Sequence, residues 1–421
     1  MEIGPFIKLH RIKQEMTQEQ LAEGIVSMSY LSKIENQKTD ASPDVISLLC
    51  TRLGIQLDNE IDTTIKEKCQ NWYNLLFEVN DKQEIIAAYE ELEGLMESAH
   101  SDSLVMFEIH KVRYYLVLGK LEEALAEINR LAEISSTLDS LHQYYWYKFK
   151  GNYATLTSEI NQAMRMYKLS EEKLNQLELP EEEVADLQYT IGVTHSKLRN
   201  TLEAIDYADK AIDVFRKQYN FIRCAQCHIV LGISYRRIRM WDKSIKNHNL
   251  AKHLGELNKN QQIIQLSNQN LGFLHATKGD TKEAIHYYEE VYNDVEVDLN
   301  AKLTAVTSLI KEYYSIYDLD NTKKMIEKGT ELLDGKTDNE LFKIHYYVIS
   351  TYNLVLNQEY AKFESLVIKE FIPYLQKHKD YANIVVYANM LGKHYEYLCK
   401  YKDAVKYYKL ANISYEELII L

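Results

Sequence analysis

The first 60 residues carry short amphipathic segments that predict four helices. Apolar residues recur at helical spacing in the first segment, at Ile3, Phe6, Ile7, Leu9 and Ile12. Thr17 and Gln20 have the spacing of a capping box, in which each side chain bonds the other's backbone amide, so a second helix should begin directly after Thr17. A third helix should open at Ser27 or its neighbour and run through Glu35, and Pro43 should start a fourth.

The second and third of these helices, joined by a short turn, resemble the helix-turn-helix of the Xre/Cro type of DNA-binding domain. Residues 17–22, T-Q-E-Q-L-A, and residues 29–36, S-Y-L-S-K-I-E-N, match that family's T-Q-x-x-L-A and S-x-x-S-x-I-E-x-G patterns, and the likeness covers residues 3–57. Asn36-Gln37 departs from the glycine often found there, although asparagine tolerates the left-handed conformation.

The resemblance implies that the third helix enters the major groove of DNA with its first residues toward the base edges. The residues expected to contact bases are Ser27, Met28, Ser29, Tyr30 and Lys33. Those expected to contact phosphates are Gln18, Asn36 and Lys38. Residues 1–60, called the head below, hold six basic and nine acidic side chains, a net charge of −3. A single head should therefore bind DNA weakly. A homodimer presenting two heads to two half-sites would raise the affinity, and a degenerate head used only for protein contacts is the alternative.

Beyond the head, a pattern of small and large residues repeats with a period near 40. Gly192, Gly232 and Gly272 are 40 residues apart, and Gly392 falls three periods further on. The pattern resembles the tetratricopeptide repeat, whose usual period is 34, so longer helices or loops are expected here. Nine helical hairpins fit residues 66–421, and residues 61–75 are predicted to form a linker helix that runs into the first repeat. Stacked hairpins of this kind form a right-handed superhelix with a concave groove.

Composition agrees with an all-α fold. The chain has 421 residues with only 14 Gly and 4 Pro, too few turn residues for an all-β fold. The net charge of −13 provides no general attraction for nucleic acid. No signal peptide or membrane-spanning stretch is found in the sequence, so we expect a cytoplasmic protein without membrane contact.

A helix-turn-helix head followed by such an array resembles the peptide-pheromone receptors of Gram-positive bacteria, the family named after Rgg, Rap, NprR, PlcR and PrgX. The likeness covers the whole chain and implies a homodimeric, quorum-sensing transcription regulator that binds operator DNA under the control of a short signalling peptide held in the groove. Family members hold the peptide backbone with asparagines, commonly two residues before the small repeat residue. Asn270, two residues before Gly272, fits that position.

Other groove residues are weaker candidates for the peptide site. Gln269, Asn353 and Asn389 also carry amides, but the side of the helix on which they lie is less certain, and for each of them a solvated surface role is favoured over a ligand contact. Arg236 and Arg237 are adjacent on the first helix of the preceding hairpin. There they could hold a peptide carboxylate or form structural ion pairs.

The sequence contains no recognisable catalytic or cofactor motif, so a non-enzymatic protein without cofactor is expected. Cys224 and Cys227 form a C-x-x-C-H string, for which buried structural cysteines are favoured over haem, metal or a thiol redox sensor. The Rap-like alternative is a protein that binds or dephosphorylates a response regulator of the sporulation phosphorelay, with Gln70 or Gln83 orienting water. A peptide-independent regulator is the third possibility.

Overall fold

The computed structural model describes residues 3–55, 63–78, 82–96, 102–337 and 339–419, and no strand occurs among them. The chain divides into two compact units, Met1–Leu198 and Arg199–Leu421. The helices of the first unit are α1 Ile3–Lys13, α2 Gln18–Ala22, α3 Met28–Glu35, α4 Pro43–Arg52, α5 Thr63–Glu78, α6 Lys82–Met96, α7 Asp102–Leu118, α8 Leu121–Ala132, α9 Ser140–Leu156, α10 Ile160–Leu174 and α11 Glu181–Lys197.

The second unit continues the alternation of paired helices. Its helices are α12 Thr201–Lys217, α13 Phe221–Arg237, α14 Trp241–Leu257, α15 Gln261–Lys278, α16 Thr281–Asn293, α17 Leu299–Ser315, α18 Leu319–Leu333, α19 Lys343–Leu356, α20 Tyr360–Leu366, α21 Ile372–Lys377, α22 Tyr381–Tyr397 and α23 Tyr401–Ile419. A π-helical turn, Val367–Phe371, joins α20 to α21. The predicted all-α class, a helix-turn-helix followed by tetratricopeptide-like repeats, is confirmed. The predicted junction of head and linker at residue 60 lies outside the described residues.

The head folds as its capping residues predict. Thr17 accepts a hydrogen bond from the Gln20 amide, and the Gln20 side chain accepts one from the Thr17 amide, which starts α2. Leu21 and Leu31 are fully buried and form the centre of the head. Gly4 lies against the Ile34 carbonyl so closely that a Cβ would approach its oxygen to 2.1 Å, which explains the glycine inside α1.

A buried ion pair joins α1 to α3 in the head. Arg11 donates from Nε to Glu35 Oε1 at 2.6 Å and from a terminal nitrogen to Oε2 at 3.0 Å, while Glu35 is fully buried. The same arginine also donates to the Met16 carbonyl at 2.9 Å. Because the guanidinium and carboxylate are bidentate, the pair fixes the angle between the two helices.

The repeats use one packing contact in several hairpins. The glycine of the first helix lies under an aromatic ring sixteen residues later on the second helix: Gly151 under Tyr167, Gly232 under His248, Gly272 under Tyr288 and Gly392 under Tyr408. A Cβ on any of these glycines would come within 2.4–2.6 Å of a ring atom. The small residue of the sequence pattern is therefore required because the ring packs directly against its backbone.

The period of 40 follows from helices of constant length and links of constant shape. α11, α12, α13 and α14 each have 17 residues. A residue with positive φ ends the helix at positions 199, 219, 239, 259 and 279, one in every 20, and again at 379 and 399. Only Gly279 in this series is glycine, so the left-handed turn is built mostly from residues such as Arg239 and Lys259, which accounts for the low glycine content.

Candidate functional site

A cavity of about 450 Å³ opens in the second unit between the first helices of successive hairpins. It is lined by twelve residues: Gln269, Asn270 and Phe273 of α15, Asn300, Thr304, Thr307, Ser308 and Lys311 of α17, Ile344, His345 and Val348 of α19, and Asn383 of α22. Amides and hydroxyls dominate this lining, and three apolar side chains interrupt it. The composition suits an extended backbone rather than a compact apolar ligand.

One face of α17 supplies five of these residues. Their positions follow the spacing of a single helical face, since Asn300, Thr304, Thr307 and Lys311 are separated by four, three and four residues. Asp298 fixes the start of the helix by accepting the Ala301 amide at 3.0 Å. The polar stripe therefore has a defined rotation, with the buried apolar residues of α17 on its opposite side.

Two amides of α15 line the cavity, and each has a side-chain oxygen without a hydrogen-bond partner among the described residues. Asn270 donates from Nδ2 to the Leu266 carbonyl at 2.8 Å, which leaves its Oδ1 to accept from an incoming group. Gln269 has a buried Oε1 without a hydrogen-bond partner among the described residues. A ligand that donates N–H groups along one edge could bond Asn270 Oδ1, and a peptide backbone is such a ligand.

Lys311 is the charged residue of the lining. It donates from Nζ to Asn383 Oδ1 at 3.0 Å, and its ammonium lies 5.8 Å from the Tyr387 ring centroid. Asn383 donates in turn from Nδ2 to Asp380 Oδ2 at 2.7 Å, so its amide orientation is set by both neighbours. Burial lowers the pKa of Lys311, and Asp380 and Glu312 only partly offset that effect.

His345 contributes a neutral ring to the same wall. The ring is buried, with Nδ1 3.4 Å from the Thr307 hydroxyl and Nε2 3.3 Å from Asn300 Oδ1. Burial, assisted by the charge of Lys311, lowers its pKa to about 4. At neutral pH the imidazole is therefore uncharged and orients Asn300 rather than adding charge.

Arg236 adjoins the cavity through an aromatic contact. Its guanidinium lies 4.3 Å from the centroid of the Phe273 ring, which lines the cavity, and its Nε is buried without a hydrogen-bond partner. Burial, with the charges of Arg237 and Arg199, lowers the pKa of Arg236 to about 10. Arg237 is half-buried on the same helix, and burial together with Arg199 lowers its pKa to about 10 as well.

The predicted peptide-site residues fall into three groups. Asn270 and Gln269 line the cavity, and Arg236 touches a residue that does. Asn353 is exposed, accepts from Asn357 Nδ2 at 3.1 Å and does not line this cavity, and neither does the half-buried Asn389. Arg237 does not line this cavity either. The roles of all six residues remain predictions.

Sequence reasoning missed Asn300, Lys311 and Asn383. The repeat signal fades in α17–α21, so no small residue marked the groove positions there. The polar face of α17, with Asn300 and Lys311 eleven residues apart, was the signal available in the sequence.

The cysteine pair has the features of packing residues. Cys224 and Cys227 are buried in α13, and burial raises the pKa of both thiols, which disfavours the reactive thiolate. Within the described part of the chain, no group of three or more His, Cys, Asp or Glu side chains is arranged to hold a metal ion.

In the head, α3 presents its first turn to solvent. Ser27 caps the helix by accepting the Tyr30 amide at 3.2 Å, Met28 is 56% exposed, and Ser29 and Lys33 are also exposed. The Tyr30 side chain is half-buried and its hydroxyl donates to the Asp40 carbonyl at 3.4 Å. The surface expected to reach bases is therefore open apart from Tyr30.

The expected phosphate-contacting residues are partly engaged within the protein. Gln18 donates from Nε2 to the buried Glu35 carboxylate at 2.7 Å, and Asn36 accepts from Lys8 at 3.3 Å and donates to the Ser32 carbonyl. Lys38 is exposed. No helix of the described residues is long and apolar enough to cross a membrane.

Comparisons with known proteins agree with this architecture. A helix-turn-helix family model matches residues 7–59 and a tetratricopeptide repeat model matches residues 267–293. The apo form of the quorum sensor NprR from B. thuringiensis is similar in fold, with a TM-score of 0.71 and 17% identity over 84% of this chain and 99% of that one. NprR in complex with its cognate peptide NprX gives a TM-score of 0.62 and 19% identity over 82% and 98%.

A sequence relative gives the family. The transcriptional activator NprA of Geobacillus stearothermophilus is 32% identical over 398 residues, which are 93% of this chain and 98% of NprA. With a helix-turn-helix head, a tetratricopeptide array and that level of identity along nearly the whole length, the chain belongs to the NprR-like regulators of the Rgg, Rap, NprR, PlcR and PrgX family.

Proposed function

We propose that this protein is a cytoplasmic transcription regulator that binds operator DNA as a homodimer through α3 and is controlled by a short peptide in the cavity of the second unit. The observation that carries the proposal is the cavity itself, where Asn270, Gln269 and Asn300 line a space of about 450 Å³ and the side-chain oxygen of Asn270 is left to accept a hydrogen bond. An NprR structure in complex with its peptide supports the ligand class.

A peptide fits this lining because its backbone offers both donors and acceptors at regular spacing. Asparagine and glutamine amides can pair with either, whatever the ligand's side chains are. Phe273, Ile344 and Val348 provide apolar contacts for alternate side chains. Binding therefore requires an extended chain, and side-chain preferences come from the apolar and charged positions.

The head supports DNA binding by geometry more than by charge. Met28 and Ser29 are exposed on the first turn of α3, where a helix-turn-helix contacts base edges. The net charge of −3 in residues 1–60 gives one head little non-specific affinity. Two heads on two half-sites would compensate, which is why we propose a dimer.

The peptide role is tested by isothermal calorimetry of the full chain against synthetic peptides encoded by small reading frames beside its gene. Asn270→Ala should weaken binding, since one or two backbone hydrogen bonds of about 1 kcal/mol each are lost. Asn353→Ala is the matched control, because this exposed amide bonds Asn357 and lies outside the cavity. Equal affinity for the wild type and the Asn270 variant would place the ligand elsewhere.

The DNA role is tested by selecting duplexes from a random pool with the full chain. Fluorescence anisotropy then measures the affinity of the protein for the selected duplexes. Lys33→Ala should relax the preferred sequence, whereas Lys38→Ala should weaken all sequences alike and lower the salt slope by about one. A chain that stays monomeric and selects no duplex would refute this part of the proposal.

A further inference from the structure

The charged side chain in the lining of the cavity is a lysine, in a chain that is otherwise strongly acidic. The whole protein has a formal charge of −13, yet Lys311 is the charged residue among the twelve that line the cavity, since His345 is neutral. Its Nζ donates to Asn383, and among the described residues no carboxylate forms an ion pair with it. The charged side chain of the lining is therefore a cation without an ion-paired carboxylate.

The nearest acidic groups, Asp380 and Glu312, act on the ammonium of Lys311 through their charge but form no ion pair with it. Asp380 accepts both the backbone amide and Nδ2 of Asn383, at 3.2 and 2.7 Å, so the asparagine stands between the carboxylate and Lys311. Glu312 forms a hydrogen bond with Thr281 and acts on Lys311 only through its charge. An ammonium has three N–H donors, and Asn383 takes one of them, which leaves two for a ligand.

Positive charge also extends along the α15 side of the cavity. The Arg236 guanidinium lies 4.3 Å from the centroid of the Phe273 ring, and its Nε has no hydrogen-bond partner among the described residues. Besides burial, the charges of Arg237 and Arg199 lower its pKa, and Tyr288 raises it. Lys311 and Arg236 would both repel a cationic ligand and attract an anionic one.

We infer that the cavity selects peptides that carry a carboxylate, and that Lys311 is the residue that determines this specificity by binding the carboxylate beside Asn383. The inference rests on the proposed peptide-binding function and adds the charge of the ligand to it. The amides of α15 hold the backbone without reading it, and Lys311 supplies the selective contact. Either an acidic side chain or the free C-terminus of the peptide provides the same carboxylate chemistry.

The test uses affinity selection followed by mass spectrometry, with the full-length protein and three pools of random-sequence synthetic heptapeptides. One pool contains Asp and Glu and has amidated C-termini, the second lacks acidic residues but has free C-termini, and the third lacks both carboxylates. The wild type should retain peptides from the first or second pool about 10- to 100-fold more than from the third, the range expected for one charged hydrogen bond. The pool that is enriched identifies the source of the carboxylate.

Variants of one position separate charge from shape. Lys311→Met should retain peptides but lose the preference among pools, Lys311→Arg should keep it, and Lys311→Glu should shift it toward peptides rich in Lys and Arg. Lys324→Met, at an exposed position of α18, is the matched control and should behave as the wild type. Thermal unfolding of each variant by circular dichroism verifies that it is folded.

The outcomes distinguish the inferred charge selectivity from the proposed peptide-binding function. Retention of peptides by the wild type without any charge preference, or a preference that survives in Lys311→Met, would overturn this inference and leave the proposed function standing. Retention of no peptide from any pool would overturn both.

Discussion

His248 occupies a position that tyrosine holds in neighbouring repeats, and this makes the fold sensitive to acid at one hairpin. The His248 ring covers Gly232 as Tyr288 covers Gly272, with the imaginary Cβ within 2.5 and 2.6 Å of the rings. His248 is fully buried, and neither ring nitrogen has a hydrogen-bond partner among the described residues. Burial, with the charge of Arg236, lowers its pKa to about 3.

The cost of this histidine follows from proton linkage. Above the ordinary pKa of about 6.5 both folded and unfolded chains hold the ring neutral, so stability is unaffected; as pH falls below it, only the unfolded chain binds the proton. The loss is about 1.4 kcal/mol per pH unit, hence about 2 kcal/mol at about pH 5. Any pKa of His248 in the folded chain that is well below 5 gives the same loss of stability at that pH.

The measurement is native-state amide hydrogen exchange by mass spectrometry at about pH 7.5 and about pH 5, corrected for intrinsic rates and evaluated separately for α14 and α16. His248→Tyr should reduce the acid-induced loss of protection in α14 by about 2 kcal/mol. The reciprocal variant Tyr288→His should create a similar loss in α16. His110 and His345, whose pKa values burial also lowers, are unchanged in each comparison.

An equal acid-induced loss in α14 for the wild type and His248→Tyr would refute this reasoning. It would mean that the folded protein protonates His248 by rearranging around it, or that other groups control the acid response. Tyr288→His then decides between the two. An acid-induced loss of protection in α16 would show that a histidine ring packed on the repeat glycine stays unprotonated in the folded chain, and no loss would show that the fold rearranges around the charged ring.

Two further predictions concern a packing contact and an ion pair. Gly272→Ala should destabilise the second unit by about 1 kcal/mol, because overpacking against the rigid Tyr288 ring outweighs the better helix propensity of alanine. Gly94→Ala, with open space around it in α6, should instead stabilise the protein by up to about 1 kcal/mol. Urea unfolding measures both changes in stability, and changes of the same sign would contradict the close contact at Gly272. Arg11→Met should destabilise the head by about 3–5 kcal/mol by leaving Glu35 buried without its partner, which exchange in α1 and α3 would detect, and an unchanged head would show that the pair is dispensable.

The head could be predicted in detail because its information is local. The capping box at Thr17, the cap at Ser27 and Pro43 each fix a helix start within a few residues, and the structure confirms all three. The repeat period was equally readable, since Gly232 and Gly272 recur at the same contact. The ring over each glycine required the structure, because it comes from the other helix of the hairpin.

The cavity of the second unit could be predicted only in part from the sequence. Asn270 was found through the repeat phase, but Asn383 lies 113 residues away, and its proximity to Lys311 depends on how several hairpins stack. The sequence by itself determined the helices, their caps and the period, because these depend on neighbours within one turn or one hairpin. Only the tertiary structure decided that Lys311 faces an amide-lined cavity without a carboxylate partner, because charge compensation depends on distances between side chains that are remote in the chain.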